Sequence, residues 1–294
     1  MSGSPRTGRQ RRDRDRTPRP AEPPREAPAK APKKQSELMA RIAVAIPALA
    51  FALLIVGLGG WWFTAGAAAL AIICAHEFFR MYEPIHPVRM GGFIGIIALC
   101  IAAQTGGREH LSLVVVVSFL IVFLLSFAQV KTTAVGVAMT IFALTWIGLG
   151  VAHAIMLRNL DNGADVLIDV LVGTFVGDTA AYLGGRAVGR TKLSPAISPN
   201  KTVEGLLIGI AAAVFAVWVA GLYQDWMTGW DSIILGVVVA LVSPIGDLFE
   251  SYFKREAQTK DTGTLFGAHG GALDRLDAVL FTTVAGYYTW LWLR

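Results

Sequence analysis

The chain has 294 residues, 54% of them hydrophobic and 16% charged, with a formal net charge of +5. Its mean hydropathy of +0.54 and the nearly uncharged runs that recur from about Ile42 argue against a soluble domain and for a polytopic membrane protein. Cys74 and Cys100 both lie in apolar runs, which argues against a disulfide framework or a zinc site and leaves them as small buried hydrophobes.

Residues 1–38 are rich in Arg, Lys, Pro, Asp and Glu and hold seven of the 13 prolines. Such a segment cannot bury enough apolar surface to offset the entropy of ordering, so it is expected to be a disordered basic cytoplasmic tail. It lacks the short apolar region of a signal peptide. Tethering to anionic lipid is one role for it; the plainer one is a solvated segment that helps fix topology.

From residue 39 the sequence predicts one transmembrane domain to residue 294. Apolar windows fall at about 42–59, 61–79, 88–104, 110–128, 133–156, 165–185, 203–223, 231–250 and 278–293. With no alternating strand pattern, and with bare backbone excluded from lipid, the expected class is all-α, with about nine transmembrane helices. Gly59-Gly60-Trp61-Trp62 reads as a tight interfacial turn, a single bent helix being the alternative. If the tail is cytoplasmic, alternation puts eleven cations on the same side: Arg80, Arg89, Lys131, Arg186, Arg190, Lys192, Lys201, Lys254, Arg255, Lys260 and Arg275. The other side receives three, Arg108, Arg158 and Arg294. The positive-inside rule therefore supports an odd number of spans, a cytoplasmic N-terminus and a C-terminus on the opposite side.

Ionisable residues in or beside spans are expensive and are candidates for function. The first five windows, about 42–156, carry few and read as a scaffold; the stretch of about 165–294 carries Asp178, Glu204, Asp247, Glu250, Lys254, Asp274 and Asp277. The sixth and seventh windows are joined by "GDTAAYLGGRAVGRTKLSPAISPNKTVEG", Gly177 to Gly205. Its "GGRAVGRT" nearly spells a Walker A loop, but Arg190 stands where the lysine belongs and an apolar helix, not a strand, precedes it. Without that motif, the glycines still let backbone amides approach an anion, and Arg186, Lys192, Ser198, Lys201 and Thr202 supply donors. "SPNKTVEG" reads as a turn feeding a helix capped by Thr202 or Asn200. A loop that is merely positive, as topology requires, is the plainer reading.

In "SPIGDLFESYFKR", Ser243 to Arg255, a helix places Asp247, Glu250, Ser251 and Lys254 on one polar face. Pro244 is expected to kink or break this span and bare carbonyls toward a cavity; ordinary salt bridging at a helix end is the alternative. Downstream, "DRLD" sets Asp274 and Asp277 three residues apart. Paired carboxylates beside another acidic face suit a hard cation such as Mg²⁺ that also bridges substrate phosphates. Lys254, Arg255, Lys260 and Arg275 surround them, completing an inventory for phosphoryl or nucleotidyl transfer. His269, with Gly270 and Gly271, is either an acid/base beside a close-approach backbone or a structural loop residue.

The segment Ser251 to Asp277, "SYFKREAQTKDTGTLFGAHGGALDRLD", resembles the signature of the phosphatidate cytidylyltransferases (CDP-diacylglycerol synthases). Its one departure is Ala272, where the family usually has a larger apolar residue. "GDLFES" and the 177–205 segment are also similar, while the first half agrees mainly in being apolar, with "EFFR" at Glu77 to Arg80 as a weak echo. The resemblance implies a membrane enzyme that condenses CTP with phosphatidate, releases pyrophosphate and forms CDP-diacylglycerol in phospholipid synthesis.

It further implies Mg²⁺ on Asp247 and Asp274, with Asp277 and Glu250 as further ligands, and leaves room for a second, monovalent cation. Asp247, Asp274, Lys254, Arg255, Lys260 and His269 are the catalytic candidates. Ser198, Lys201, Thr202, Arg275, Gly270 and Gly271 are candidates for holding phosphates, and Asp178, Asp261 and Glu204 complete the set. Location in the cell (inner) membrane among its lipids, no nucleic-acid partner and compatibility with a homodimer follow from the same reading. Two rivals are a transporter for an anionic solute, against which the charges cluster at one face, and a CTP-using polyprenyl kinase, which should lack the full signature.

Overall fold

The computed structural model describes residues 50–263 and 270–294, together with Gly3 and Pro47. The expected tail, apart from Gly3, and the start of the first expected span therefore lie outside the described residues, as does His269. Residues 50–58 are helical (α1) and end at Gly59, whose φ of 64° breaks the helix before α2 (Gly60–Met81). The expected turn, not a bent helix, thus separates the two, and left-handed backbone is what glycine tolerates.

A short 3₁₀ turn, Glu83–Ile85, leads to α3 (Arg89–Thr105) and α4 (Gly107–Ser126). Helix α5 (Ala134–Ala143) passes through a π turn, Leu144–Gly148, into α6 (Leu149–Arg158). Then follow α7 (Gly163–Val188), the antiparallel hairpin β1 (Lys192–Ser194) and β2 (Ser198–Thr202), α8 (Val203–Gly221), α9 (Gly229–Glu256) and α10 (Leu273–Leu293). The chain is an all-α polytopic membrane protein, as expected. Among the described residues, six helical units are long and apolar enough to cross a membrane: α2, α4, the continuous 134–158 unit, α7, α8 and α9. Helix α3 is apolar but shorter, at 17 residues. Each of the expected windows from 61 onward coincides with a helix.

Two details depart from expectation. Where a turn was expected before α8, the chain forms a two-stranded hairpin with Lys192 opposite Thr202 and Ser194 opposite Ser198. Pro244 does not break its span: α9 runs unbroken from Gly229 to Glu256. Neighbouring helices allow a transmembrane helix to absorb a proline. The Ala240 carbonyl, four residues back, still receives no N–H from Pro244.

Besides mid-helix hydrogen bonds such as Thr174 with Thr282, hydrogen bonds between elements join the helices at both ends. At one end Tyr82 donates to the Phe253 carbonyl, Thr133 to the Ile85 carbonyl and Arg255 to the Ile197 carbonyl. At the other, Arg158 donates to the Val56 carbonyl, Thr64 to Gln104, Gln224 to Asp169 and Arg294 to the Trp226 carbonyl.

Lipid tails are as apolar as leucine, so close packing and hydrogen bonds, more than hydrophobicity, hold such helices together. Helices α7 and α8 meet through small residues four apart, Gly177, Ala181 and Gly185 on one and Gly205, Gly209 and Ala213 on the other. A Cβ at Gly205 would lie 2.6 Å from the Ala181 carbonyl oxygen, and one at Gly209 2.8 Å from that of Gly177. The backbones therefore touch, and the hairpin between the two helices is held against their ends. The scaffold is fastened to the C-terminal half by an aromatic cluster drawn from α2, α5, the π turn, α9 and α10. Phe142 and Phe253 have ring centroids 4.7 Å apart, Trp146 and Phe249 5.0 Å, and Phe249 and Phe281 5.1 Å.

Candidate active site

Thr202, the last residue of β2, accepts a hydrogen bond from the Gly205 N–H at 3.1 Å and caps α8. Of the two expected caps it is Thr202, not Asn200, that does so. Its oxygen satisfies an N-terminal amide that would otherwise lack a helical partner. Thr202→Ala is expected to lower stability by about 1 kcal/mol, measured by thermal unfolding in detergent, with Thr202→Ser unchanged. Glu204 accepts from the Arg190 and Thr191 N–H groups at 3.0 and 3.1 Å. It ties the end of the α7–β1 connection to α8 and stays away from the acidic cluster.

The hairpin carries Lys201 to α9, where its ammonium lies 2.5 Å from an Asp247 oxygen. The Ser251 hydroxyl is 3.5 Å from the other oxygen. Asp178 on α7 accepts from the Ser243 hydroxyl at 2.9 Å. These groups border a cavity of about 550 Å³ enclosed by α7, the hairpin, α8 and α9. Asp178, Lys201, Asp247, Arg186, Lys192 and Thr202 face it together with apolar Leu206, Leu193 and Pro244 and with Tyr182. Its inner end continues between Ala240, Ser243 and Gly177. Cationic groups and an apolar wall therefore share one chamber.

A second polar centre lies across α9 and α10. Lys254 is half-buried, pairs with Glu250 one turn back on its own helix, and donates to an Asp274 oxygen at 2.9 Å. Glu250 is 1% exposed. The other Asp274 oxygen accepts from the Gly271 N–H at 2.7 Å and the Thr262 N–H at 3.0 Å. Asp277, also buried, is one turn along α10, and its backbone packs on Gly246 beside Asp247. The four-residue polar face expected on α9 thus divides: Asp247 and Ser251 turn to Lys201, and Glu250 and Lys254 turn to Asp274.

Arg255 is exposed and donates to the Ile197 carbonyl at 3.2 Å, pinning the hairpin turn. Lys260, Asp261 and Arg275 are exposed, and Ser198 is half-buried at the start of β2. Gly270 has φ of 82°, and a Cβ there would meet Asp274, so this position requires glycine on both counts.

Two residues outside the expected set complete this end. Glu77 on α2, buried in an apolar span, accepts from the Leu273 N–H at 2.9 Å and the Thr262 hydroxyl at 3.3 Å. Tyr82, just beyond α2, donates to Glu256 and to the Phe253 carbonyl. Burial, and secondarily Glu256, push its phenol well above the usual tyrosine value, so it stays a donor. A lone carboxylate in an apolar span whose other charge, Arg80, lies in its last turn was the available signal for Glu77.

A model of the Cytidylyltransferase family matches residues 39–292. The phosphatidate cytidylyltransferase of Synechocystis sp. is 31% identical over 272 residues, covering 82% of this chain and 92% of the relative. Those of Staphylococcus epidermidis and Staphylococcus aureus are each 30% identical, over 251 and 253 residues, and cover 83% of this chain and 95% of their own. The match to the family model takes in every helix that builds the two polar centres, and the chain belongs to the cytidylyltransferase family.

Proposed function

We propose that the chain transfers a cytidylyl group from CTP to phosphatidate, giving CDP-diacylglycerol and pyrophosphate. The observation that carries this is the cavity, where the Lys201–Asp247 pair, Arg186 and Lys192 meet an apolar wall. Such a chamber suits a nucleotide triphosphate and a phosphate carried on acyl chains. A phosphate oxygen of phosphatidate attacks the α-phosphorus of CTP in line; the new O–P bond forms as the bond to the β-phosphate oxygen breaks, and pyrophosphate leaves. The nucleophile belongs to the lipid, so the protein's work is positioning and charge stabilisation. Lys201, Arg186 and Lys192 hold phosphates, and Lys254 pairs with Asp274.

Among the described residues no three His, Cys, Asp or Glu side chains converge to cage a metal. This donor set fits Mg²⁺, which commonly takes one or two carboxylates and completes its shell with phosphate oxygens and water. Asp247, beside the cavity, and Asp274, on α10, would hold it, Asp274 giving up its contact with Lys254 to do so, with Asp277 and Glu250 as further candidates. Bound there, Mg²⁺ would supply charge neutralisation for the triphosphate and the departing pyrophosphate. The basic end of the helices faces the cytoplasm, the source of CTP, and the C-terminus faces the opposite side of the cell membrane.

Purified protein in detergent, given labelled CTP, phosphatidate and Mg²⁺, should form lipid-soluble cytidine product, and chelation of the metal should stop it. Asp274→Asn should lower the rate about 10³-fold or more. No Mg²⁺-dependent product from the unmodified protein, or equal activity in the variant, would sink the proposal.

A further inference from the structure

We infer that Glu77 is a positioning residue for this reaction: from α2, in the scaffold half, it fixes the two stretches of chain that present Asp274. The inference rests on the proposed transfer only for its kinetic arm. Thr262 is gripped twice, its hydroxyl by Glu77 at 3.3 Å and its N–H by Asp274 at 3.0 Å. The start of α10 is gripped in the same way, the Leu273 N–H by Glu77 at 2.9 Å and the Gly271 N–H by Asp274 at 2.7 Å. Ala272, the N-cap residue of α10, has no side chain able to cap the helix. Glu77 therefore supplies, from another helix, an acceptor that α10 lacks at its positive end.

Space gives an independent reason. A Cβ at Gly263 would lie 2.7 Å from Cδ and 3.0 Å from Cγ of Glu77, and one at Gly271 would lie 2.6 Å from a Glu77 oxygen. Neither glycine has the left-handed backbone of Gly270. Each is small because the carboxylate fills the volume that its side chain would take. A buried carboxylate on α2 and two glycines almost two hundred residues away thus account for one another, and no contact between Glu77 and the Lys201–Asp247 centre is needed.

Hydrogen exchange and steady-state kinetics on the full chain in detergent test this. Glu77→Ala should raise exchange of the Thr262 and Leu273 amides about tenfold or more while α7 and α8 stay unchanged. Its kcat should fall about 10- to 100-fold, with KM for CTP changing less than about threefold. Glu77→Gln, whose amide oxygen accepts the same bonds, should recover most of both. Gly263→Ala should lower kcat when Glu77 is present and have no further effect in the Glu77→Ala background. Unchanged exchange at those two amides, or the same fold loss from Gly263→Ala in both backgrounds, overturns the inference. If Glu77→Ala fails to fold, Thr262→Val removes only the hydroxyl that bonds Glu77, and its exchange is judged by the same criterion at Leu273. A chain inactive with CTP and phosphatidate would fail the functional reading, while the exchange results would still decide the role of Glu77.

Discussion

Lys254→Met is expected to lower stability by about 3–5 kcal/mol, the usual cost of stripping a buried ion pair of one member. The Lys254 side chain is 14% exposed, and its ammonium lies between Glu250 and Asp274, whose side chains are 1% and 7% exposed. Removing it leaves two carboxylates in a poorly solvating interior, with Asp277 one turn away on α10. Thermal unfolding in detergent should show a large drop for the methionine variant, and cytidylyl transfer should be lost with it. If uncompensated charge is the cause, Glu250→Gln added to Lys254→Met should restore part of the stability, although it removes a further native contact. A double variant less stable than the single one would mean that Lys254 acts by packing its stem, and the electrostatic reading would fail. Arg at this position keeps the charge but carries a planar fork into a site shaped around a compact ammonium, so incomplete recovery is expected.

The same cluster shows what the sequence makes legible and where it stops. Asp247, Glu250, Ser251 and Lys254 are found from helical spacing alone, since a polar face on an apolar helix survives any tertiary arrangement. Spacing cannot say that the face serves two neighbours, because Asp247 and Glu250 differ by a small rotation about the axis and only the placement of Lys201 and Asp274 separates them. The hairpin at 192–202 escapes for a different reason. Its strands are three and five residues long and hold a proline, too short to display alternation. Its position comes from the contact of α7 and α8 through Gly177, Gly205 and Gly209. Glu77 is the clearest omission: its partners are a backbone N–H and a hydroxyl, and backbone donors leave no mark in a sequence. The signature's glycines did mark it indirectly, since Gly263 and Gly271 lack side chains where Glu77 lies.

Lys201→Met should behave in the opposite way to Lys254→Met, although both break a lysine–aspartate pair. The side chains of Lys201 and Asp247 are 25% and 33% exposed beside the cavity. A pair whose side chains are only partly buried contributes about 1 kcal/mol to stability, less than the Lys254 cluster even though the Lys201 nitrogen itself is shielded from solvent, and the melting curve should move little. The rate should fall steeply, because a cation beside an anionic transition state in a partly enclosed chamber is ordinarily worth about 10²–10³-fold. Asp247→Asn should lower the rate at least as far while also leaving stability nearly unchanged, since amide and carboxylate share shape and the Ser251 contact is long, at 3.5 Å. Measuring kcat, KM for CTP and unfolding temperature on the same preparations separates the cases. If Lys201→Met destabilises the protein as much as Lys254→Met while the surviving folded fraction keeps its full turnover, the pair at the cavity is structural. The phosphate-holding role would then have to pass to Arg186 and Lys192 across the chamber. If instead turnover collapses in a protein that melts normally, the two lysines divide the work: Lys254 builds the acidic cluster, and Lys201, beside the cavity, serves the substrates.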